Sequence, residues 1–118
     1  MKESQIQRAI LADLAARKIF AIRLNSGAMM SNYKGKTYRT TLCAPGTADI
    51  LALPKETRGI DDYGSWCSLT AIVPIWLEVK TDKGKQSEIQ KSFQAQVEAE
   101  GHRYAIVRSI EDVEALGL

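Results

Sequence analysis

The chain has 118 residues, 16 Lys and Arg against 14 Asp and Glu for a net charge of +2, and a composition 45% hydrophobic and 25% charged. That profile is ordinary for one soluble globular domain spanning residues 1–118, and no apolar run approaches the roughly 20 residues of a membrane span. The N-terminal residues lead into an amphipathic pattern and not a signal-peptide core, and two cysteines with one histidine, in no metal-ligating spacing, argue against zinc chemistry and histidine-based triads. The expectation is a cytoplasmic protein, without membrane or organic cofactor, whose chemistry rests on carboxylates and lysine.

The first predicted element is a helix from Glu3 to Arg17, because Ile6, Ile10 and Leu14 recur every four residues with Ala9 and Leu11 widening the stripe. Glu3 lies on the edge of that stripe, where a carboxylate either needs a partner or gains from the helix dipole. Ile19–Leu24 reads as a strand broken by Asn25-Ser26-Gly27. Between Met29 and Leu42, Tyr33-Lys34-Gly35-Lys36 looks like a turn joining two short strands. Ala44-Pro45-Gly46 is a tight turn that delivers Asp49 to the start of the apolar run Ile50–Leu53, which Pro54 ends.

No Asp or Glu occurs from Leu14 to Ala48, a span that holds Arg17, Lys18, Arg23, Lys34, Lys36 and Arg39 with Tyr33 and Tyr38 interleaved. A basic tract with aromatics suits a phosphate backbone, and lysines that block edge pairing of a hairpin would look the same. Lys55–Ser68 is polar and reads as a surface loop, with Asp61-Asp62 as a solvated pair. Leu69–Lys80 is the predicted central strand, regular pairing starting after Pro74.

Thr81–Lys85 is a charged turn into a second helix, Ser87 to Glu100, whose apolar stripe is Ile89, Phe93 and Val97. Gln90 and Gln94 sit beside that stripe, and Ser87-x-x-Gln90 matches a capping box. Gly101 closes the helix, His102–Arg108 forms a strand, and Ser109 caps a short last helix, Ile110 to Leu116. This order predicts an α/β fold with a mixed central β-sheet flanked by helices, including a β-α-β crossover from the Glu78 strand to the His102 strand.

Ile75-Trp76-Leu77-Glu78-Val79-Lys80 is the stretch that carries chemistry. Side chains alternate along a strand, so Leu77 and Val79 can enter a core while Glu78 and Lys80 share the other face. If the Asp49 strand is a neighbour, Asp49, Glu78 and Lys80 converge. Two close carboxylates repel unless one is protonated or a cation lies between them, and hard oxygen ligands suit Mg2+ or Mn2+. A Glu-x-Lys alone is commonly a solvated ion pair, so the weight rests on its surroundings.

With Asp49, Glu78-x-Lys80 and a glutamine-bearing helix in that order, the sequence resembles the PD-(D/E)xK nucleases, and more narrowly the virus-type replication-repair nuclease (VRR-NUC) family. The matching pieces are the opening helix with Glu3, Arg23-Leu24-Asn25-Ser26-Gly27, Gly46-x-x-Asp49-Ile50, Glu78-Val79-Lys80, Gln90, and the Gly101-His102-Arg103-Tyr104 strand with its short helix. One departure is Ala48, where no proline immediately precedes the aspartate. The resemblance implies a restriction-endonuclease-like core and a metal-dependent, structure-specific DNA endonuclease of phage or bacterial type. Asp49, Glu78 and the Val79 carbonyl would hold the ion, Lys80 would orient water, Glu3 would complete an outer acidic shell, and Gln90 would position Lys80 or a phosphate oxygen. Arg23, Asn25, Lys34, Lys36 and Arg39 would contact DNA. Stand-alone members resemble four-way-junction resolvases, so a Holliday junction cut by a homodimer is expected, with Ala28-Met29-Met30 one candidate interface piece. The alternatives are a nuclease on other branched or flap DNA, or a non-catalytic nucleic-acid-binding domain of the same fold.

Overall fold

Ile6, Ile10 and Leu14 recur at one-turn intervals along the first helix, α1 (Glu3–Ala16), and all three are buried. The computed structural model describes residues 1–24, 28–41, 43–60 and 66–118, with the backbone alone for 28–31, 39–41, 57–60 and 66–69. At the start of α1 the Gln5 side chain accepts the Lys2 backbone N–H at 3.0 Å. At its end Lys18, with φ of 59°, turns the chain into the first strand. The strands are β1 (Phe20–Arg23), β2 (Ala28–Tyr33), β3 (Lys36–Thr41), β4 (Ile50–Leu53), β5 (Lys55–Ile60), β6 (Trp66–Ile72), β7 (Ile75–Val79) and β8 (Arg103–Val107). Helix α2 (Glu88–Ala99) links the last two strands, and α3 (Ile110–Glu114) follows them.

Four of these strands form the central sheet in the order β1-β4-β7-β8. The pairs β1–β4 and β4–β7 are antiparallel and β7–β8 is parallel, so the sheet is mixed, as expected. A parallel pair needs a crossover, and α2 supplies it. Alternation along β7 divides the molecule into layers. Ile75, Leu77 and Val79 join Ile50, Ala52 and Val107 in a core closed by Ile6, Ile10 and Leu14 of α1 and Val113 of α3. Trp76 and Glu78 point the other way, toward α2, where the Trp76 ring meets Phe93 edge-on at 5.2 Å.

The remaining strands form two ribbons inserted between sheet strands, β2–β3 and β5–β6. The turn of the first places Lys34 and Gly35 at φ of 50° and 75°, the left-handed pair that matches the twist of a two-residue hairpin. Among the described residues neither ribbon packs extensively on the helices or the sheet. The molecule is accordingly elongated, 65 × 29 × 29 Å. No described helix is long and apolar enough to cross a membrane.

The second ribbon corrects the sequence expectation. Residues 55–60 and 66–68 are no loop, since they form β5 and the first part of β6, which pair from Lys55↔Ile72 to Ile60↔Trp66 with a register shift between Arg58 and Ile60. Leu69–Lys80 is likewise not one strand. Its first part belongs to the ribbon, which ends at Ile72, and β7 begins after Pro74. A ribbon whose described residues do not pack extensively on the core needs no hydrophobic alternation, so the sequence carries no period to read. Asp61-Asp62 lie outside the described residues.

Candidate active site

The sheet's own register brings the acidic residues together. Asp49 immediately precedes β4, and β4 and β7 pair Ile50 with Leu77. One further step along an antiparallel ladder sets Asp49 level with Glu78, with both side chains leaving the same face. Asp49 is held from both sides. Its Oδ2 accepts the Val79 backbone N–H at 2.8 Å, and its carbonyl accepts the Leu24 N–H at 2.7 Å.

The turn before Asp49 depends on Gly46, whose φ is 89°. A Cβ there would sit 2.7 Å from the Ile89 carbonyl oxygen, so the loop presses directly on the first turn of α2. Thr47 closes the turn, donating from its N–H (3.1 Å) and hydroxyl (2.6 Å) to the Ala44 carbonyl. Ala48, directly before the aspartate, is buried.

Glu78 is 2% exposed. Its Oε1 accepts the Gln90 Nε2–H at 2.8 Å and lies 3.8 Å from Lys80 Nζ. Its Oε2 is buried with no hydrogen-bond partner among the described residues. Burial, followed by the charge of Asp49, pushes the Glu78 carboxyl up to about 8, with Lys80 pulling the other way. Lys80 is itself buried at 8% exposure, and its ammonium also reaches Glu3 Oε1 at 4.0 Å. Its backbone N–H extends the parallel ladder to the Val107 carbonyl at 3.0 Å.

Gln90 does two things with one amide. Its oxygen accepts the Ser87 N–H at 2.9 Å while the Ser87 hydroxyl accepts the Gln90 N–H at 3.2 Å, the reciprocal capping box. That leaves the amide nitrogen free to donate to Glu78. The group Gln90 touches is therefore Glu78, where sequence reasoning had paired it with Lys80 or a phosphate oxygen.

Asp49, Glu78, Lys80, Gln90 and Glu3 thus gather at one end of the sheet, Glu3 at the solvent margin with its side chain 45% exposed. The backbone of Val79 joins them through its N–H to Asp49. Of the described basic residues, Lys34 and Lys36 lie elsewhere, whereas Arg23 pairs with Ile50, next to Asp49. Arg23 is exposed at the end of β1, while Lys34 and Lys36 are exposed at the first ribbon's turn. Six-residue strands at about 3.3 Å per residue carry that turn roughly 20 Å from the ribbon's root. Asn25 and the Arg39 side chain lie outside the described residues.

The sequence did not flag Gln86 or Arg108. Gln86 Nε2 donates to Gln94 Oε1 at 2.9 Å and to the Tyr104 hydroxyl at 3.0 Å. Arg108 Nη1 donates to the carbonyls of Thr81, Asp82 and Gly84, which fixes the chain just beyond Lys80. Neither residue belongs to a periodic pattern, so no local signal exposes it.

Among the described residues no three His, Cys, Asp or Glu side chains gather into a metal cage. The donors are two carboxylates, and an unpartnered buried oxygen on Glu78 beside Asp49 is costly unless a proton or cation meets it. Hard oxygen donors of this kind fit a divalent cation that keeps several waters, as Mg2+ does.

No family model matches the sequence, and no curated protein matches it. Among solved structures the chain is similar to one described as a VRR_NUC domain, at 19% identity over 97% of this chain and 91% of that one, with a TM-score of 0.56.

Proposed function

Because the chain has the fold of a VRR_NUC domain, we propose that it is a metal-dependent endonuclease hydrolysing phosphodiester bonds in branched DNA. The observation that carries this reading is the convergence of Asp49, Glu78 and Lys80, with Glu78 Oε2 buried and unpartnered. Asp49 and Glu78 would hold Mg2+ or Mn2+, with the Val79 carbonyl as a further oxygen donor. When bound, the ion would acidify water and neutralise charge on the attacked phosphate. The remaining work falls to the chain. Gln90 fixes one Glu78 oxygen and leaves the other free, while Lys80 offers a buried positive charge next to the carboxylate. An ammonium in that place would orient water and stabilise negative charge developing on the phosphate. The products would be a 5′-phosphate and a 3′-hydroxyl.

Lys34 and Lys36 would meet the DNA backbone away from the cut, and Arg23, paired with Ile50 at the Asp49 end of the sheet, would meet it closer in. Phosphate contacts position a duplex without reading its sequence, which favours selection by structure. The Holliday junction is the proposed substrate, cut symmetrically by a homodimer. Phe20 and Ile22, 66% and 39% exposed on the edge strand β1, provide apolar surface for such a dimer.

Labelled four-way junctions, flaps and linear duplexes incubated with Mg2+ or Mn2+ test the proposal. The junction should be cut by the wild type and spared in EDTA or by Lys80→Ala. Cleavage that persists in EDTA would refute the mechanism, binding without cleavage would leave a non-catalytic DNA-binding domain, and preference for flaps would replace the substrate. Light scattering of Phe20→Ser against wild type tests the dimer.

A further inference from the structure

Helix α2 is thinly anchored for an element that touches the site. Val97 is its one buried residue, and Ile89, at the head of its apolar stripe, is 56% exposed. Hydrophobic burial therefore does little to set where its first turn sits, and specific contacts must do so. The Trp76 and Phe93 rings meet edge-on. The Gly46 backbone presses on Ile89. Gln86 then ties the residue before the helix cap to strand β8, through the Tyr104 hydroxyl, and to the next turn of the helix, through Gln94.

Resting on the proposed site, we propose that Gln86 and Tyr104 are positioning residues for the Glu78 carboxylate, acting through the capped first turn of α2. The chain of contacts is continuous. Tyr104 lies on β8 opposite Trp76, two pairs before Glu78. Its hydroxyl accepts from Gln86, Gln86 adjoins the Ser87 cap, Ser87 and Gln90 bond reciprocally, and Gln90 donates to Glu78 Oε1. Gln90 can hold the carboxylate only while its own backbone stays at a fixed distance from β7. The Gln86–Tyr104 bond crosses between helix and sheet beside that turn and sets this distance. Burial raises the partly buried Tyr104 hydroxyl to about 12, opposed by the hydrogen bond it accepts from Gln86.

The test reads the contact itself. In the metal-free protein the Gln90 side-chain amide protons are followed by 15N-resolved hydrogen exchange, and Mn2+ affinity is measured by calorimetry. Gln86→Leu should speed exchange of the Gln90 amide about fivefold, the factor expected on losing a neutral hydrogen bond, and should weaken Mn2+ binding by a similar factor. Tyr104→Phe should do the same to a smaller extent, because Gln86 keeps Gln94. Val97→Ala serves as the control, since it loosens the far end of the helix by packing alone. Unchanged Gln90 exchange in Gln86→Leu, or equal acceleration in Val97→Ala, would overturn the assignment. Accelerated exchange in a protein whose wild type binds no Mn2+ would uphold the positioning and refute the metal reading instead.

Discussion

The two faces of the central sheet are built on opposite principles. Beneath it, α1 supplies Ile6, Ile10 and Leu14 and α3 supplies Val113 to a core that also takes Ile75, Leu77 and Val79 from β7. Above it, the same strand presents Trp76 and Glu78 to a helix that buries Val97 alone, and Lys80, just past the strand's end, reaches both Glu78 and Glu3 of α1. Apolar burial holds the first face, and named polar and aromatic contacts hold the second. The alternation of a single strand thus separates folding from chemistry, so changes on one face should leave the other largely intact.

The sharpest way to break that division is to remove the site. Asp49→Ala or Lys80→Ala should lower cleavage by about 10²- to 10⁴-fold, the range for loss of a positioned catalytic group. Far-ultraviolet circular dichroism should stay native, and a collapse of the spectrum would show that the polar face also carries the fold. The converse variant, Ile10→Ala, should cost about 2–5 kcal/mol in urea denaturation, since it leaves a cavity at a fully buried position. Cleavage well below its melting point should change little.

A third test uses pH. Glu78 is raised from 4.5 to about 8 in the folded state, so the native protein holds a proton that the unfolded chain has released. Its contribution to stability is complete below pH 4.5 and is lost as pH rises through about 8. The metal-free protein should therefore melt lower at pH 9 than at pH 5, Glu78→Gln should flatten that slope, and Mg2+ or Mn2+ should raise the alkaline melting point of the wild type only. A slope unchanged in Glu78→Gln would remove Glu78 as its source.

The smallest effect separates two glycines. Gly35 and Gly46 both have positive φ, but a Cβ at Gly35 meets open space while one at Gly46 strikes Ile89. Gly35→Ala should cost about 1 kcal/mol in urea denaturation from backbone strain alone, and Gly46→Ala about 1–3 kcal/mol more. Gly46→Ala should also lower cleavage, because the loop leads into Asp49. Equal costs would mean that α2 yields freely to the loop.

The core face was legible in the sequence because burial imposes a period. Ile6, Ile10 and Leu14 announced α1, and Leu77 and Val79 announced the inward side of β7. The convergence of Asp49 with Glu78 followed from two apolar runs each beginning or ending on a charge. Lys34-Gly35 revealed the first ribbon through turn chemistry. The second ribbon was hidden, since Lys55-Glu56-Thr57-Arg58 shows no alternation of apolar and polar residues. Ile89 misled for a related reason: a helical stripe shows which side is apolar, but not how much of it reaches the sheet. Gln90 was half legible. Its capping role is local, whereas its bond to Glu78 spans 12 positions and appears only when the crossover folds back.

Both ribbons leave and rejoin the sheet between antiparallel neighbours, β2–β3 between β1 and β4, and β5–β6 between β4 and β7. In effect each is an overgrown hairpin turn. Because the entropy of closing a loop rises only slowly with its length, such arms can be trimmed, extended or exchanged at little expense to the scaffold. The architecture thus permits the reach of the molecule to be altered while the spacing of Asp49, Glu78 and Lys80 is kept.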